Sequence, residues 1–434
     1  MRRKINHFLS LLLVAATFVL VACSPFSVPT AMGPTVDEPT AVEPATPFEC
    51  TDALGCVDIV PGEPIHIAWI QTVSGISGPL GQTNVNGAQV ALNEINFELL
   101  GHPVQWDGQD SYCSIEGGQA AATIISSDPT VVGVIGTTCS DETRGAMPLL
   151  SAAGMVMISS SNISPDLTNP EHPDHWPGYL RTAHSYLFQG RVAAEFTYNE
   201  LGLTRAATIN DGSPFAEGLQ AAFASAFTEL DGTITIQESV NVGDTEMQAM
   251  LDRIASSGPQ LIYFPIFEPE GNLIAAKKCD IAGLEDTILL SADSLLTNTF
   301  PTAAGACAVG MYLTRTYVDS NVQADFLSSY AELFGENPAT NYAPHSYDAM
   351  KMLLAAIEAV AVSDAGGTLH IPRQALRDAL YTTMDFQGLT GVLNCDANGD
   401  CAADDALAVF QVTQGNVDGM TSLLTNNPIW LPGR

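Results

Sequence analysis

The 434-residue chain carries 48 acidic side chains against 15 Lys and Arg, a formal net charge of -33, and is 46% hydrophobic. The imbalance comes from scarce bases more than from surplus acids, and a surface of this kind repels nucleic acid and anionic lipid headgroups. It reads as a solvated acidic coat over a globular protein, which excludes nucleic acid as a partner.

In chain order, Arg2, Arg3 and Lys4 come first, then the apolar run Phe8 to Ala22, closed by Leu20-Val21-Ala22-Cys23. A run this short does not anchor as an ordinary transmembrane helix, and small Ala22 lets a peptidase cut before Cys23. Charge, apolar length and cleavage residues agree on a lipoprotein-type signal over residues 1–22, against an uncleaved signal anchor. Cys23 is then the lipidated residue. The expected location is outside the cell interior, anchored by lipid at the outer face of the cytoplasmic membrane or in the periplasm. Prolines at 25, 29, 34, 39, 44 and 47 among Thr, Ala, Val and Glu build no core, so residues 23–61 read as the anchor and a semi-extended linker.

The remaining chain, about 375 residues, exceeds what one hydrophobic core usually organises, which favours two lobes. Nine cysteines less Cys23 leave eight, a number that allows many connectivities; the pairing of sequence neighbours would join Cys50 with Cys56, Cys113 with Cys139, Cys279 with Cys307, and Cys395 with Cys401. An even set in an exported chain means disulfides before metal.

Strand and helix patterns then alternate. Ile65 to Thr72 reads as a strand, followed by a Gly-rich turn and a helix from Asn84 to Phe97 with the stripe Val85, Ala88, Leu92, Ile95. Next come strand Val104 to Asp107, helix Gly118 to Ser126, strand Val131 to Ile135, helix Asp141 to Ala152 and strand Met155 to Ser159. The rhythm resumes with helix Ser185 to Leu201, strand Ala206 to Asn210, helix Phe215 to Leu230, strand Thr233 to Val240 and helix Thr245 to Ser256. Strand Leu261 to Phe264, helix Glu270 to Ala282 and strand Thr287 to Ser291 follow. Helices at Gln323 to Phe334, Tyr347 to Val362 and Pro372 to Tyr381, with strands around Val392 and Val409, complete the chain. Short apolar runs between amphipathic helices predict α/β lobes with parallel sheets covered on both faces, two of them doubly wound.

In open sheets of this kind ligands sit beyond the carboxyl ends of the strands. The loops selected by that rule, Thr72 to Gly81, Thr137 to Thr143, Ser159 to Ser164, Asn210 to Phe215, Pro265 to Glu268 and Ser291 to Ser294, are rich in Ser, Thr, Asp and Phe. They hold few bases. A carboxylate can still be held where a helix begins, because free N–H groups and the dipole supply partial positive charge. Ser140, in front of the helix Asp141 to Ala152, suits that role or simply caps the helix. Asp293, just after a strand and without a nearby base in sequence, suits a ligand cation or the cap of a helix starting at Ser294. Phe215 and Phe267 wall a pocket or belong to the core.

Several stretches together resemble a known family: Ile67-Ala-Trp-Ile-Gln-Thr-Val-Ser-Gly75 through Gly81-Gln82, Gly87-Ala88 and Asn93-Glu94-Ile95-Asn96; Val134-Ile-Gly-Thr-Thr-Cys-Ser140; Ile158-Ser-Ser-Ser-Asn-Ile-Ser-Pro-Asp-Leu-Thr168; and Phe215-Ala-Glu-Gly-Leu219. From Gly62 nearly to the C-terminus the chain is similar to type I periplasmic substrate-binding proteins of the branched-chain amino acid group, which feed ABC importers. The resemblance implies two Rossmann-like lobes joined by three crossing strands, closing on the ligand like a flytrap. Residues 62–183 and 316–385 would form the first lobe, and 184–315 and 386–434 the second. It places Thr72, Ser140 and the segment Ser161, Asn162, Ile163 at the ligand in the first lobe, the last four at its carboxylate. Asp293 falls at the α-ammonium and Phe215 and Phe267 where amino-acid binders often carry tyrosine. Cys113 and Cys139 match a family disulfide beside the site. Asp293 is shorter than the usual Glu, and Ile163 stands where Thr is common, so amides, urea and aromatic acids stay open beside an α-amino acid. The partners implied are a small-molecule ligand and ABC permease subunits; the protein is expected to be a monomer without cofactor or catalytic role.

Other motifs carry less. Gly75-Ile-Ser-Gly78-Pro-Leu-Gly81 lacks the order of a nucleotide loop. His172 and His175 lie in a Pro-containing surface stretch and no metal is expected there. Asp396, Asn398 and Asp400 alternate like calcium ligands, but the glycine is one place early and no Glu closes the loop, which favours a turn pinned by Cys395 and Cys401. Two rival functions remain: a sensor reporting ligand to a signalling partner, and an exported hydrolase using Ser140 or Asp293.

Overall fold

A computed structural model describes residues 48–75, 77–297, 299–319, 321–403, 407–423 and 426–432. The expected signal segment, Cys23 and most of the expected linker lie outside the described residues. Two six-stranded sheets organise the rest.

The first sheet runs in the order Glu98–Leu99, His102–Asp110, Ile65–Gln71, Val131–Gly136, Met157–Ser159, Tyr179–Arg181. Its five longer strands are parallel. Val131–Gly136 is buried at every position, as a strand covered on both faces must be. Helices Gly78–Glu94 and Ala343–Val360 cover one face, where Ala88, Ala91 and Leu92 meet Met350, Leu353 and Ile357. Helices Ile115–Ser126 and Ser140–Ala152 cover the other with Ala121, Ala122, Ala146, Met147 and Leu150. Burial of a side chain the size of Met147 or Leu150 contributes ~1.5–3 kcal/mol. These last two helices touch backbone to backbone: a Cβ on Gly118 would stand 2.1 Å from the Glu142 carbonyl oxygen, so only glycine fits.

The second sheet has the order Leu407–Gln411, Tyr312–Thr316, Ile288–Ser291, Leu261–Tyr263, Arg205–Asn210, Thr233–Ser239. It is parallel except for its first strand. Helices Gln248–Ser257 and Glu270–Lys277 pack Leu251, Ile254 and Ile274 on one face. On the other, helices Tyr186–Glu195 and Pro214–Glu229 set Ala193, Leu219, Phe223 and Phe227 against Leu261 and Tyr263. Both lobes are therefore doubly wound.

The chain passes between the sheets three times: after Arg181, after Thr316, and between Cys401 and Leu407. The last passage comes later than the expected boundary after residue 385, because Leu393, Cys395 and Cys401 pack in the core of the first lobe. The four expected disulfides, Cys50–Cys56, Cys113–Cys139, Cys279–Cys307 and Cys395–Cys401, are formed. No helix among the described residues is long and apolar enough to cross a membrane.

Several elements differ from expectation for identifiable reasons. The helix expected from Asn84 begins at Gly78, because Pro79 is well suited to a first helical turn. The helix expected over Ser185 to Leu201 ends at Glu195 and continues as a wider turn, Phe196–Glu200. Strands Tyr179–Arg181 and Tyr312–Thr316 were hidden by the buried arginines Arg181 and Arg315; the latter stacks on Phe410 at 3.8 Å. A small antiparallel sheet, Cys56–Ile59, Leu369–Pro372 and Val362–Ser363, also went unforeseen. Beside it the Asp52 carboxylate accepts the Gln374 and Ala375 N–H groups at 3.0 and 3.1 Å, fastening the start of the domain to the helix Arg373–Tyr381.

Candidate functional site

The loops at the carboxyl ends of the first-lobe strands form one hydrogen-bonded network. Thr138 Oγ1 donates to Gln71 Oε1 at 2.7 Å and accepts the Thr72 N–H at 2.8 Å. Asn84 Nδ2 donates to Ser161 Oγ at 2.9 Å, and Ser161 Oγ donates to the Thr138 carbonyl at 2.9 Å. Asn162 is fully buried: its Oδ1 accepts from Thr143 Oγ1 at 2.5 Å and Tyr179 OH at 3.1 Å, and its Nδ2 donates to the Thr137 carbonyl at 3.0 Å. Thr72, Ser161 and Asn162 thus stand together, with their polar groups engaged inside the lobe. Ser140 and Ile163 keep partial exposure.

Ser140 does not precede its helix but begins it, with Cys139 as the residue before. The reason is Glu142, whose Oε2 takes the Cys139 N–H at 2.7 Å. Ser140 Oγ accepts the Ser164 N–H at 3.3 Å, which ties the helix start to the neighbouring loop. Arg144 donates to Ser164 Oγ at 3.0 Å, but Asp141, Asp166 and Asp174 surround it, so its charge is consumed at the rim.

Glu142 escaped sequence reading. Fully buried, it accepts from Ser111 Oγ at 2.9 Å, Cys113 N at 2.8 Å, Cys139 N and the Thr72 hydroxyl. It forms the one metal-like grouping among the described residues with Cys113 and Cys139, whose sulfurs are bonded to each other. Its carboxylate therefore holds the first-lobe loops to the disulfide. Charge-assisted bonds contribute more than neutral ones, so Glu142→Gln is expected to cost about 2 kcal/mol, read as a lower urea midpoint with unchanged slope.

Asp293 opens the short turn Asp293–Leu295 directly after the strand Ile288–Ser291. Its Oδ1 accepts from Gln189 Nε2 at 2.9 Å and its Oδ2 from Tyr342 OH at 3.5 Å. Gln189 is itself fixed by the Thr314 carbonyl at 3.3 Å. Burial pushes the Asp293 carboxyl above the usual range, and its hydrogen bonds and the charge of Arg315 only partly offset this. Part of Asp293 nonetheless remains open to solvent. Burial and then the facing Asp293 hold the Tyr342 and Tyr263 phenols well above their ordinary value. The Tyr263 hydroxyl is enclosed without a partner. Tyr342 leads into the helix Ala343–Val360 of the first lobe, so its bond to Asp293 crosses between lobes. Neither Gln189 nor Tyr342 was selected from sequence; the Asn341-Tyr342-Ala343 step before a helix is the signal that could have found the latter.

Phe215 lies in the first turn of the helix Pro214–Glu229, rather than in the preceding loop, because Ser213 Oγ caps it by accepting the Ala216 N–H at 3.2 Å. Its ring meets that of Phe267 with centroids 5.1 Å apart, and Phe267 is 46% exposed. The second lobe thus offers an acid and an open aromatic pair; the first offers a helix start and hydroxyls. Cavities of about 510 and 370 Å³ flank the crossing segments, the first lined by His184, Phe188 and Asp396 and the second by Arg315, Gln323 and Asn341. Ser140 and Asp293 line neither.

The family model described as periplasmic binding protein matches residues 64–416. A Leu/Ile/Val-binding protein, BraC3, from Rhizobium johnstonii is 28% identical over 297 residues, 68% of this chain and 79% of that protein. The crystal structure of a leucine-binding protein from Thermotoga maritima superposes with a TM-score of 0.67 at 24% identity, covering 85% of this chain and 98% of that one. A solute-binding protein of an ABC transporter from R. palustris, in complex with benzoate, gives a TM-score of 0.65 at 19% identity over 85% of this chain and 96% of that one.

Proposed function

Starting from the chain's membership of the periplasmic binding protein family, we propose that it captures a small α-amino acid, of the branched-chain type, between its lobes and delivers it to the permease of an ABC importer. The observation that carries this reading is Asp293, an acid at a strand's carboxyl end whose hydrogen-bond donors, Gln189 and Tyr342, are both neutral. A desolvated carboxylate so placed favours an ammonium. The ligand's carboxylate goes to the start of the helix Ser140–Ala152, with the Ser161 to Ile163 segment beside it, and its apolar side chain to Phe215 and Phe267. Thr72 supports the loop from behind. Closure follows if a ligand bridging both lobes binds the closed state more tightly than the open one. Cys23 holds the domain to the membrane by lipid, with the linker as leash. The names of the relatives agree with a branched-chain ligand.

An aromatic carboxylate is the second reading, favoured by the open Phe215–Phe267 pair and by the raised Asp293, which as a neutral acid would donate to a carboxylate. Amides and urea belong to the same test, as does a sensing role. A thermal-shift screen of amino acids, amides, urea and benzoates separates the ligands, since a true ligand at a hundredfold excess over its Kd stabilises by about 2.7 kcal/mol. Stabilisation by leucine, isoleucine or valine is expected; stabilisation by benzoate alone would replace the reading. Tyr342→Phe is expected to weaken leucine binding about threefold to tenfold in calorimetry, the value of one hydrogen bond.

A further inference from the structure

Arg181 ends the last strand of the first sheet and is fully buried. Its Nη1 donates to the Ser164 carbonyl at 2.6 Å and the Asn162 carbonyl at 3.5 Å, and its Nη2 to Thr168 Oγ1 at 2.8 Å. Its Nε donates to Asp400, and Thr168 Oγ1 donates to Asp400 Oδ2 at 2.9 Å. The main chains join as well: Arg181 N–H to the Gly399 carbonyl at 2.9 Å and Cys401 N–H to the Arg181 carbonyl at 3.0 Å.

Asp400 is held in turn. The bond Cys395–Cys401 closes its loop, and Asp396 Oδ1 accepts the Asn398 and Asp400 N–H groups at 2.8 and 3.0 Å. Gly399 has φ of +94°, and a Cβ there would stand 2.3 Å from the Tyr179 carbonyl oxygen. This rigid loop sits at the third passage between lobes, whereas Arg181 sits at the first.

Asn162 and Ser164 flank Ile163. In a planar trans peptide the N–H points opposite to the preceding carbonyl, so a guanidinium drawing the Asn162 carbonyl turns the Ile163 N–H away from itself. The Ile163 carbonyl is taken by the Tyr186 N–H at 2.9 Å, leaving that amide as the free donor orientation of the segment. We infer that Arg181 and Asp400 are positioning residues for ligand capture: the pinned Cys395–Cys401 loop fixes Asp400, Asp400 fixes Arg181, and Arg181 presents the Ser161 to Ser164 loop to a ligand carboxylate. This rests on the proposed carboxylate site for its functional consequence, but not for its effect on the loop.

The test uses Asp400→Asn and a Cys395→Ala/Cys401→Ala double variant of the full chain. Amide hydrogen exchange without ligand is expected to quicken about tenfold or more in peptides covering 159–169 and to stay unchanged over 65–71. Leucine affinity should fall about tenfold, while affinity for leucinamide, which lacks the carboxylate, should fall less than threefold. Asp400→Glu should restore part of both. Where the parent chain takes benzoate instead, benzoate and benzamide replace the pair. Unchanged exchange over 159–169 would overturn the inference whatever the ligand. Faster exchange with an unaltered carboxylate-to-amide ratio would remove the loop from ligand capture. Failure of the parent to bind any carboxylate would sink the proposed function and the capture role together, leaving the exchange result to decide the strut.

Discussion

Asp293→Asn is expected to weaken leucine binding about a hundredfold to a thousandfold in calorimetry, a loss of about 3–4 kcal/mol. The amide keeps the size of the side chain and its bond from Gln189 through oxygen, so the fold is retained. What disappears is the negative charge facing an ammonium in a surrounding already depleted of water. Because burial holds the Asp293 carboxyl above the usual range, leucine affinity of the parent should also decline on mild acidification, as the carboxyl protonates and the ammonium loses its partner. The Asn variant should lack that decline. Benzoate offers no cation, and its binding should be unweakened by the substitution. Equal leucine affinity in parent and variant would place the ammonium elsewhere.

Acid is expected to destabilise the fold through two buried histidines at the lobe crossings. His184 Nε2 donates to the Ala403 carbonyl at 2.5 Å and His345 Nδ1 to the Thr182 carbonyl at 3.0 Å, while the other ring nitrogens lack partners. Burial pushes His184 down to about 4 and His345, further lowered by His184, to about 3. In the unfolded chain each would protonate near the ordinary histidine value, about 6.5. Between that value and the folded one the unfolded state binds more protons, so stability falls as pH falls from about 6.5. At pH 4.5 the loss comes to about 2–3 kcal/mol for each ring, ~5 kcal/mol together. Asp348 acts oppositely. Burial raises it to about 6 despite bonds from Thr390 and Leu389, so its contribution is lost as pH rises from about 4 to 6 and returns on acidification. Urea unfolding of the parent and of His345→Gln at pH 7 and 4.5 separates these terms, because the variant's own cost cancels in the difference between the two pH values. The difference should shrink by about 2–3 kcal/mol in the variant; an unchanged difference would remove His345 from the acid response.

The alternation of apolar runs such as Val131–Gly136 with amphipathic helices made the two doubly wound lobes legible, and the rule of strand ends led to Asp293 and Ser140. What escaped is polar and inside. Tyr179–Arg181 and Tyr312–Thr316 went unassigned because a buried arginine suits a strand only when distant groups meet it: Asp400 takes Arg181, and the Phe410 ring and the Asn426 carbonyl meet Arg315, all from the far end of the chain. Glu142 looked like an ordinary first-turn acid, since its partners Thr72 and Ser111 come together with it only in the folded lobe. Gln189 and Tyr342 reach Asp293 from a helix and a helix start that local pattern assigns to scaffold. The last lobe boundary was misplaced for a similar reason. Leu393 is a core residue whose short strand pairs back on Phe386–Gly388 under the first lobe.

Whether one zwitterion bridges the two lobes is decided by a crystal structure of the chain grown with leucine. The ligand nitrogen is expected within hydrogen-bond distance of Asp293, its carboxylate at Ser140 and the Ile163 N–H, and its side chain against Phe215 and Phe267. A leucine lodged elsewhere, or one whose nitrogen faces away from Asp293, would contradict the bridge.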